Sequence, residues 1–271
     1  MADDFPTSEG YLKYPVLLVH GFGFRDRKAL NYWGRIPKML AEKGCAVFYG
    51  KQDSSATIED NALFLKNRVH DILHETGAEK VNIIAHSKGG LEARYMISKL
   101  QTDSQVASLT TIATPHHGSL TLQKIPKFLL KIAGFFTSIA MKILGDKKPN
   151  AYKAFLDFRA DNAKIFNAET PDSENVYYQS YAFSMKHDII LWFTHLIIKK
   201  AEGENDGLVS VKSAEWGDFK GIIRSNSKRG ISHCDEVDFR RRKFTKKTGD
   251  GVSDILEVYS KIVDDLCLKG F

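Results

Sequence analysis

Short apolar runs alternate along this chain with stretches whose apolar residues recur at helical spacing. Four short runs are typical of buried strands: residues 15–19, 45–49, 81–85 and 109–113. Three stretches between them have helical periodicity: residues 32–43, 54–76 and 91–100. Strands alternating with helices form a mostly parallel sheet covered on both faces, and ligands bind such sheets at the carboxyl ends of the strands. The sequence therefore predicts an α/β fold with any active site at one edge of the sheet.

A serine follows the third apolar run and precedes a helical segment, in the sequence AHSKGG. Ser87 lies between Ala85 and Gly89, each two positions away. A nucleophilic serine on a tight strand-to-helix turn adopts a strained backbone conformation and needs such small neighbours. The helix start supplies free N–H groups that can stabilise an oxyanion. Taken alone, this pattern fits a structural turn serine equally well.

A serine nucleophile needs a histidine base, and the histidine needs a carboxylate partner. In this architecture the order along the chain is serine, acid, histidine. Of the nine histidines, His233 lies late in the chain in the loop-like sequence GISHCD. Asp206, in the sequence NDGLVS, is the favoured acid, and Asp188 and Asp218 are alternatives in weaker contexts. The alternative to a catalytic role is that Asp206 lies in a turn and only accepts hydrogen bonds from its own backbone.

Residues 119–145 combine an apolar stripe at helical spacing, which includes Phe128 and Phe136, with a face of lysines. This pattern predicts a long basic amphipathic helix, with Pro126 and Gly134 as the two places where it could break. One interpretation is a helix packed on the core with a solvated lysine face. The other is a cap over the active site that opens at a lipid surface.

A second apolar run, residues 189–198, contains Trp192. It either lines a groove for an acyl chain or completes the core. This run is too short to cross a bilayer, and no other apolar segment is long and uncharged enough to do so. We therefore expect no transmembrane segment.

The bulk composition is that of one soluble globular enzyme domain: 271 residues, of which 43% are hydrophobic and 27% charged. Three cysteines argue against a disulfide framework. The net charge is +6, but no nucleic-acid-binding motif accompanies it, so we expect no nucleic-acid partner. The N-terminus lacks the basic head and apolar core of a signal peptide. We expect a cytoplasmic protein, or a secreted one whose export signal has been removed.

Five short motifs occur in order: VHGF at residues 19–22, AHSKGG at 85–90, ATPHHGS at 113–119, NDGLV at 205–209 and SHCDEV at 232–237. With these motifs the chain resembles the bacterial family I triacylglycerol lipases, from about residue 14 to the C-terminus. The resemblance implies a single α/β-hydrolase domain over residues 1–271, with a helical lid or cap insertion.

Carried over position by position, the resemblance makes Ser87 the nucleophile, Asp206 the acid and His233 the base of a catalytic triad. The backbone N–H groups of Phe22 and Lys88 would form the oxyanion hole.

The same resemblance places a lid at about residues 119–160. Together with the second apolar run, this leads us to expect a helical lid or cap region over residues 119–200. Phe128, Phe136 and Trp192 would then contact the substrate or belong to the lid.

Several relatives hold a structural calcium near the catalytic histidine loop, with an acid two residues after that histidine. Asp235 has this position, whereas Phe239 stands where some relatives have a glutamine ligand. A structural calcium at Asp235 is one interpretation, and a carboxylate that only holds its own loop is the other. The chemistry itself is expected to need no cofactor.

These observations predict a serine-dependent carboxylic ester hydrolase, a lipase or esterase of lipid degradation. It would cleave acylglycerols or other hydrophobic acyl esters through an acyl-enzyme. The expected partners are a lipid or ester substrate and, transiently, a lipid interface. The alternatives are an esterase of small or polymeric esters, a phospholipase, and a catalytically silent lipid-binding protein of the same fold.

Overall fold

The computed structural model describes residues 10–23, 31–246 and 249–271. Its centre is one sheet of six strands: β1 (Val16–Val19), β2 (Val47–Tyr49), β3 (Val81–His86), β4 (Val106–Ile112), β5 (Tyr177–Phe183) and β6 (Asp218–Ile223). The strand order is β2-β1-β3-β4-β5-β6, and every neighbouring pair is parallel. The predicted α/β fold with a parallel sheet is confirmed.

Ten α-helices occur among the described residues: α1 (Ile36–Glu42), α2 (Ile58–Thr76), α3 (Lys88–Lys99), α4 (Leu120–Lys124), α5 (Lys127–Ile143), α6 (Ala151–Asp157), α7 (Ala160–Glu169), α8 (Trp192–Glu202), α9 (Val211–Ala214) and α10 (Ile255–Leu268). The caps of α2 follow from its sequence. The Thr57 side chain accepts a hydrogen bond from the N–H of Asp60, and Gly77 ends the helix with φ +69°.

The two faces of the sheet each bury an apolar cluster, because successive strand residues point to opposite faces. Leu18 and Ile84 pack on one face with residues of α1 and α10. Leu17 and Ile83 pack on the other face with residues of α2 and α3. Helices therefore cover both faces, as the alternation of patterns predicts.

The region from 119 to 200 differs from the expected continuous helical cap. Pro126 separates α4 from α5, which is one of the two predicted break points, whereas Gly134 lies inside α5. β5 also falls within this region and pairs with β4 and β6 in the sheet. The helical insertion that precedes β5 is therefore limited to α4–α7, and the expectation of a cap through residue 200 is corrected.

The described part of the chain contains no helix with the length and apolar character needed to cross a bilayer. Even α5, the most apolar of the long helices, has 17 residues and begins and ends near lysines.

Candidate active site

Ser87 lies on a sharp turn between β3 and α3, with φ 53° and ψ −126°, a conformation that costs energy for any residue with a side chain. Two glycines make room for this turn. A Cβ added at Gly21 would lie 2.8 Å from the Cβ of Ser87, and one added at Gly89 would lie 2.5 Å from the carbonyl oxygen of His20. The loop after β1 and the start of α3 can therefore approach the serine closely.

His233, in the loop after β6, meets Asp206, in the loop between α8 and α9. His233 Nδ1 and Asp206 Oδ2 are 2.8 Å apart, and the N–H of His233 donates to the carbonyl of Asp206 at 3.0 Å. With Nδ1 bonded to a carboxylate, the neutral ring keeps Nε2 as its proton acceptor.

Asp206 is buried, and the backbone N–H groups of Leu208 and Val209 donate to its Oδ1 at 2.8 and 2.7 Å. Burial alone raises the pKa of a carboxyl group. The pairing with His233 and the hydrogen bonds that Asp206 accepts outweigh this and hold the pKa of Asp206 below the usual range. Asp206 is therefore an anion at neutral pH.

The two alternative acids have other partners. Asp188 pairs with Arg229 at 2.7 Å and also contacts Arg240. Asp218 accepts from Tyr177 at 2.5 Å and lies 2.6 Å from Lys220. Neither carboxylate has a hydrogen bond to His233 among the described contacts.

His86, directly before the nucleophile, joins a buried hydrogen-bond chain. The Tyr32 hydroxyl accepts from the N–H of Gly21 at 3.0 Å and lies 2.7 Å from His86 Nδ1, to which it can donate its own proton. His86 Nε2 then carries the ring proton and donates to Glu236 Oε2 at 2.9 Å. Burial is the main cause that holds the pKa of His86 well below its usual value, and the nearby His233 and His20 lower it further. Both effects favour a neutral ring.

Glu236 is a residue of this site that sequence reasoning missed. It is fully buried, and its Oε2 lies 3.5 Å from His233 Nδ1. Its Oε1 is buried and accepts no hydrogen bond from the described residues. Burial, and then the charge of Asp206 and a hydrogen bond with it, raise the pKa of Glu236 well above its usual value. These surroundings favour the protonated, neutral form of Glu236. The sequence signal for this residue was a glutamate three positions after the histidine.

His86, His233 and Glu236 bring one donor atom each within 4.8 Å of one another, which is close enough to share a metal ion. An ion at this place would compete with the hydrogen bonds just described.

Asp235 has contacts of a different kind. Its Oδ2 accepts from the hydroxyl of Ser232 at 2.8 Å, and its Oδ1 lies 3.2 Å from Nε of Arg240. A guanidinium beside the carboxylate does not fit a bound divalent cation, which takes oxygen ligands.

An apolar cavity of about 520 Å³ opens beside the serine. Ser87 and His233 both line it, together with apolar side chains: Phe22, Leu122, Phe155, Phe158, Leu208, Val209, Val237 and Phe239. An acyl chain fits such a lining, because the cavity offers few polar partners.

The two loops predicted to hold the oxyanion meet at this cavity. Phe22 lines it, and its ring packs against Phe155 and Phe158 at centroid distances of 5.7 and 6.2 Å. Lys88 is the first residue of α3, where a backbone N–H has no acceptor within the helix. The side chain of Lys88 is buried against Glu92. The oxyanion role of both N–H groups stays a prediction.

The three aromatic residues expected to contact the substrate or to belong to the lid lie away from the cavity. Phe128, Phe136 and Trp192 are 64%, 65% and 49% exposed, and none of them lines the cavity in the described part of the chain. Phe155 and Phe158 contact the cavity instead. The helical pattern identified apolar positions, but it could not tell which side of α5 would face solvent.

Residues 14–203 match the family described as alpha/beta hydrolase fold. The chain belongs to the α/β-hydrolase family. Among its relatives, Triacylglycerol lipase 2 of Saccharomyces cerevisiae is 31% identical over 261 residues, which cover 89% of this chain and 75% of that protein. Triacylglycerol lipase of Pseudomonas fragi is 26% identical and covers 85% of this chain and 89% of its own length.

Among solved structures, this α/β hydrolase is similar to the Staphylococcus hyicus lipase. The TM-score is 0.71 at 20% identity, and the match covers 98% of each chain. At this identity the likeness shows the shared fold. Because the sequence relatives include a yeast protein and a bacterial one, the finer assignment to the bacterial family I lipases stays a prediction.

Proposed function

We propose that this α/β hydrolase cleaves carboxylic esters of hydrophobic acyl groups, acylglycerols in particular, through an acyl-enzyme on Ser87. One observation carries the proposal: the strained serine borders the same apolar cavity as His233, whose Nδ1 lies 2.8 Å from Asp206 Oδ2. Relatives named triacylglycerol lipase, which align over most of both chains, support an acylglycerol as substrate.

In this mechanism His233 Nε2 takes the proton of the Ser87 hydroxyl as the serine oxygen attacks the ester carbonyl. Asp206, buried and ionised, holds the ring and stabilises the imidazolium that forms. The N–H groups of Phe22 and Lys88 bind the oxyanion, and a donor of this kind contributes about 2.7–4 kcal/mol in comparable sites. His233 then protonates the leaving alcohol, and water hydrolyses the acyl-enzyme. No step requires a cofactor.

A fluorophosphonate probe, which reacts with activated serines, tests the nucleophile directly. We expect the wild type to be labelled and Ser87→Ala to fold but to be neither labelled nor active on p-nitrophenyl esters. Ser119, a second serine that lines the cavity, supplies the matched control, because Ser119→Ala should keep the labelling. Labelling of Ser87→Ala would refute the assignment, and an unlabelled wild type would favour a silent lipid-binding protein.

The acyl-chain profile distinguishes the enzymatic alternatives. An apolar cavity predicts higher kcat/KM for medium and long acyl chains than for acetate. A maximum at acetate would favour an esterase of small esters. Fatty-acid release from phosphatidylcholine that exceeds release from triacylglycerol would favour a phospholipase.

We further propose that α5 forms a lid that contacts lipid. Of its 17 residues, Leu130 and Gly134 are the buried ones, and it contains no acidic residue. Its exposed aromatic residues include Phe128, Phe135 and Phe136, each more than 60% exposed. An apolar face flanked by lysines is typical of helices that lie at a lipid surface.

α5 packs on α6, which connects it with the substrate site. Gly134 lets α5 approach α6, since a Cβ there would lie 2.6 Å from the backbone of Tyr152. The Ser138 hydroxyl accepts from the N–H of Ala151 at 3.0 Å. α6 in turn carries Phe155, which lines the cavity. A displacement of α5 can therefore reach the substrate site through α6.

A triple variant tests the lid. Phe128→Ser, Phe135→Ser and Phe136→Ser together should lower hydrolysis of emulsified tributyrin about tenfold, because the apolar area that binds the interface is lost. Hydrolysis of a soluble p-nitrophenyl ester should stay within about twofold. Leu63→Ser, at an exposed apolar position of α2, is the control. Equal effects on both substrates would contradict interfacial binding.

A further inference from the structure

Two buried carboxylates beside the histidine loop share one guanidinium. Asp235 follows His233 by two residues, and Asp188 begins the turn that leads into α8. Arg240 Nε lies 3.2 Å from Asp235 Oδ1, and Arg240 Nη2 contacts Asp188 Oδ2. Arg229 Nη2 donates to the same Asp188 oxygen at 2.7 Å. A planar guanidinium reaches two carboxylates in this way only when they lie side by side.

The remaining carboxylate oxygens are also engaged. Asp188 Oδ1 accepts from the N–H of Ile190 at 2.8 Å and of Leu191 at 3.3 Å. Asp235 Oδ2 accepts from the hydroxyl and the N–H of Ser232 at 2.8 and 3.2 Å. Two negative charges therefore face two positive ones, and all four oxygens have partners.

This arrangement occupies the place of the calcium that the family resemblance implies at Asp235. Calcium takes roughly six to eight oxygen ligands, and a bound cation beside a guanidinium would be repelled. The donor set around Asp235 therefore does not suit calcium, because Arg240 already balances the charge that an ion would balance.

The two acids belong to the two segments that supply the base and the acid of the triad. Asp235 lies in the loop of His233, and α8, which follows Asp188, leads to Asp206. Backbone hydrogen bonds bring the same segments together. Lys186 and the neighbouring His187 donate to the carbonyl of Arg229 at 2.8 and 3.0 Å. Arg240 adds a side-chain bridge to this backbone pairing.

We propose that Arg240 is a positioning residue that replaces a structural calcium, so that the geometry of the His233 loop is independent of divalent cations. Arg240 does not line the substrate cavity, and it acts through Asp235 and Asp188. Its effect on turnover rests on the proposed role of His233, whereas the independence from calcium does not.

The first test uses the wild-type protein and needs no activity. Thermal unfolding and isothermal titration are recorded with EGTA and with millimolar CaCl₂. We expect the same unfolding temperature in both and no heat of binding. A rise of the unfolding temperature with calcium, or a saturable binding heat, would overturn the proposal.

The second test uses Arg240→Ala, with Arg242→Ala as the matched control from the same basic segment. We expect Arg240→Ala to lower kcat on a soluble ester by about ten- to a hundredfold with KM nearly unchanged, as when a supporting residue of a site is lost. Calcium should raise the unfolding temperature of Arg240→Ala and restore part of its kcat, because the two acids are then left without their shared cation.

Arg240→Lys is the third variant. It still tests the proposal if Arg240→Ala does not fold. An ammonium is a point charge without the planar fork, so we expect intermediate kcat and no response to calcium. A kcat of Arg240→Ala equal to that of Arg242→Ala would refute the positioning role. If the wild type hydrolyses no ester at all, the proposed function fails, and the calcium titration still decides the role of the guanidinium.

Discussion

The buried cluster of His86, Asp206, His233 and Glu236, which we call the corner, differs in construction from the helix α5. His86, Asp206 and Glu236 are each at most 1% exposed, and hydrogen bonds hold them in one arrangement. In α5 two of 17 residues are buried, and large apolar side chains face outward. The corner is buried and held by hydrogen bonds, whereas α5 packs on α6 and leaves most of its large apolar side chains exposed.

From this difference we expect the two regions to serve different steps. A buried, hydrogen-bonded corner suits chemistry, since catalysis depends on atoms that are already in place. A helix with an exposed apolar side suits recognition of a lipid surface, since burial of that side at the surface is favourable. Variants in each region should therefore change different observables.

The largest effect is expected from Asp206→Asn, which breaks the corner. The amide keeps the shape of the side chain but favours the wrong tautomer of His233, so kcat on a soluble ester should fall about 10⁴-fold. Asp218 bonds Tyr177 and Lys220 instead of His233. Asp218→Asn should therefore keep kcat within about twofold of the wild-type value. Similar rates for the two variants would show that Asp206 is not the acid of the triad.

A smaller effect is expected at the anchor that follows α5. Asp146 accepts from the N–H and hydroxyl of Ser55 at 2.8 and 2.6 Å and from those of Ser54 at 3.1 and 2.9 Å. Burial raises the pKa of Asp146, but these donors outweigh it and lower that pKa. Asp146→Ala should cost about 1–3 kcal/mol of unfolding free energy, because buried donors lose their acceptor.

Asp146→Ala also tests whether α5 can loosen without a change in catalysis. Limited proteolysis of α5 should become several-fold faster, while kcat on a soluble ester should change little. Asp71→Ala, at an exposed position of α2, is the control. A loss of kcat on soluble ester as large as the gain in proteolysis would mean that α5 and the corner are not independent.

The smallest effect concerns the proton on Glu236. In the folded protein the pKa of Glu236 is raised, whereas the unfolded carboxyl ionises above about pH 4.3. The unfolded state therefore binds fewer protons near neutrality, and the wild type loses stability as the pH rises. Between about pH 6 and about pH 7 it should lose up to about 1.4 kcal/mol relative to Glu236→Gln, which has no proton to lose.

Urea unfolding of the two proteins at both pH values measures this difference. Glu169→Gln, at an exposed glutamate of α7, should show no pH-dependent difference from the wild type. A stability difference between wild type and Glu236→Gln that is the same at both pH values would show that Glu236 is ionised in the folded protein.

The parts of the fold that local pattern determines were predictable. The four predicted strands correspond to β1–β4, because each is a short apolar run buried on both faces. β5 and β6 were missed. β5 mixes tyrosines with polar residues, and β6 is a half-exposed edge strand that contains a lysine and a glycine. Their place depends on pairing with distant strands, which no local window contains.

Part of the candidate site was also predictable from the sequence, and part of it depends on residues that are distant along the chain. The sequence order identified Ser87, Asp206 and His233, and the structure brings the last two into contact. The partners of Glu236 and Arg240 could not be predicted, since Glu236 bonds a residue 150 positions away and Arg240 one 52 positions away. Both are ionisable residues in a polar loop, where the usual expectation is exposure to solvent.

The outward apolar side of α5 also predicts how this protein adsorbs and self-associates in solution. A molecule that presents several phenylalanines to water adsorbs to phenyl resins at low salt, spreads at air–water boundaries and pairs with its own copies as concentration rises. Mild detergent below its denaturing concentration would cover that side as a micelle and release single molecules. Chromatographic retention and apparent size, read with and without detergent, thus become a direct gauge of whether α5 lies open or folded against its neighbours.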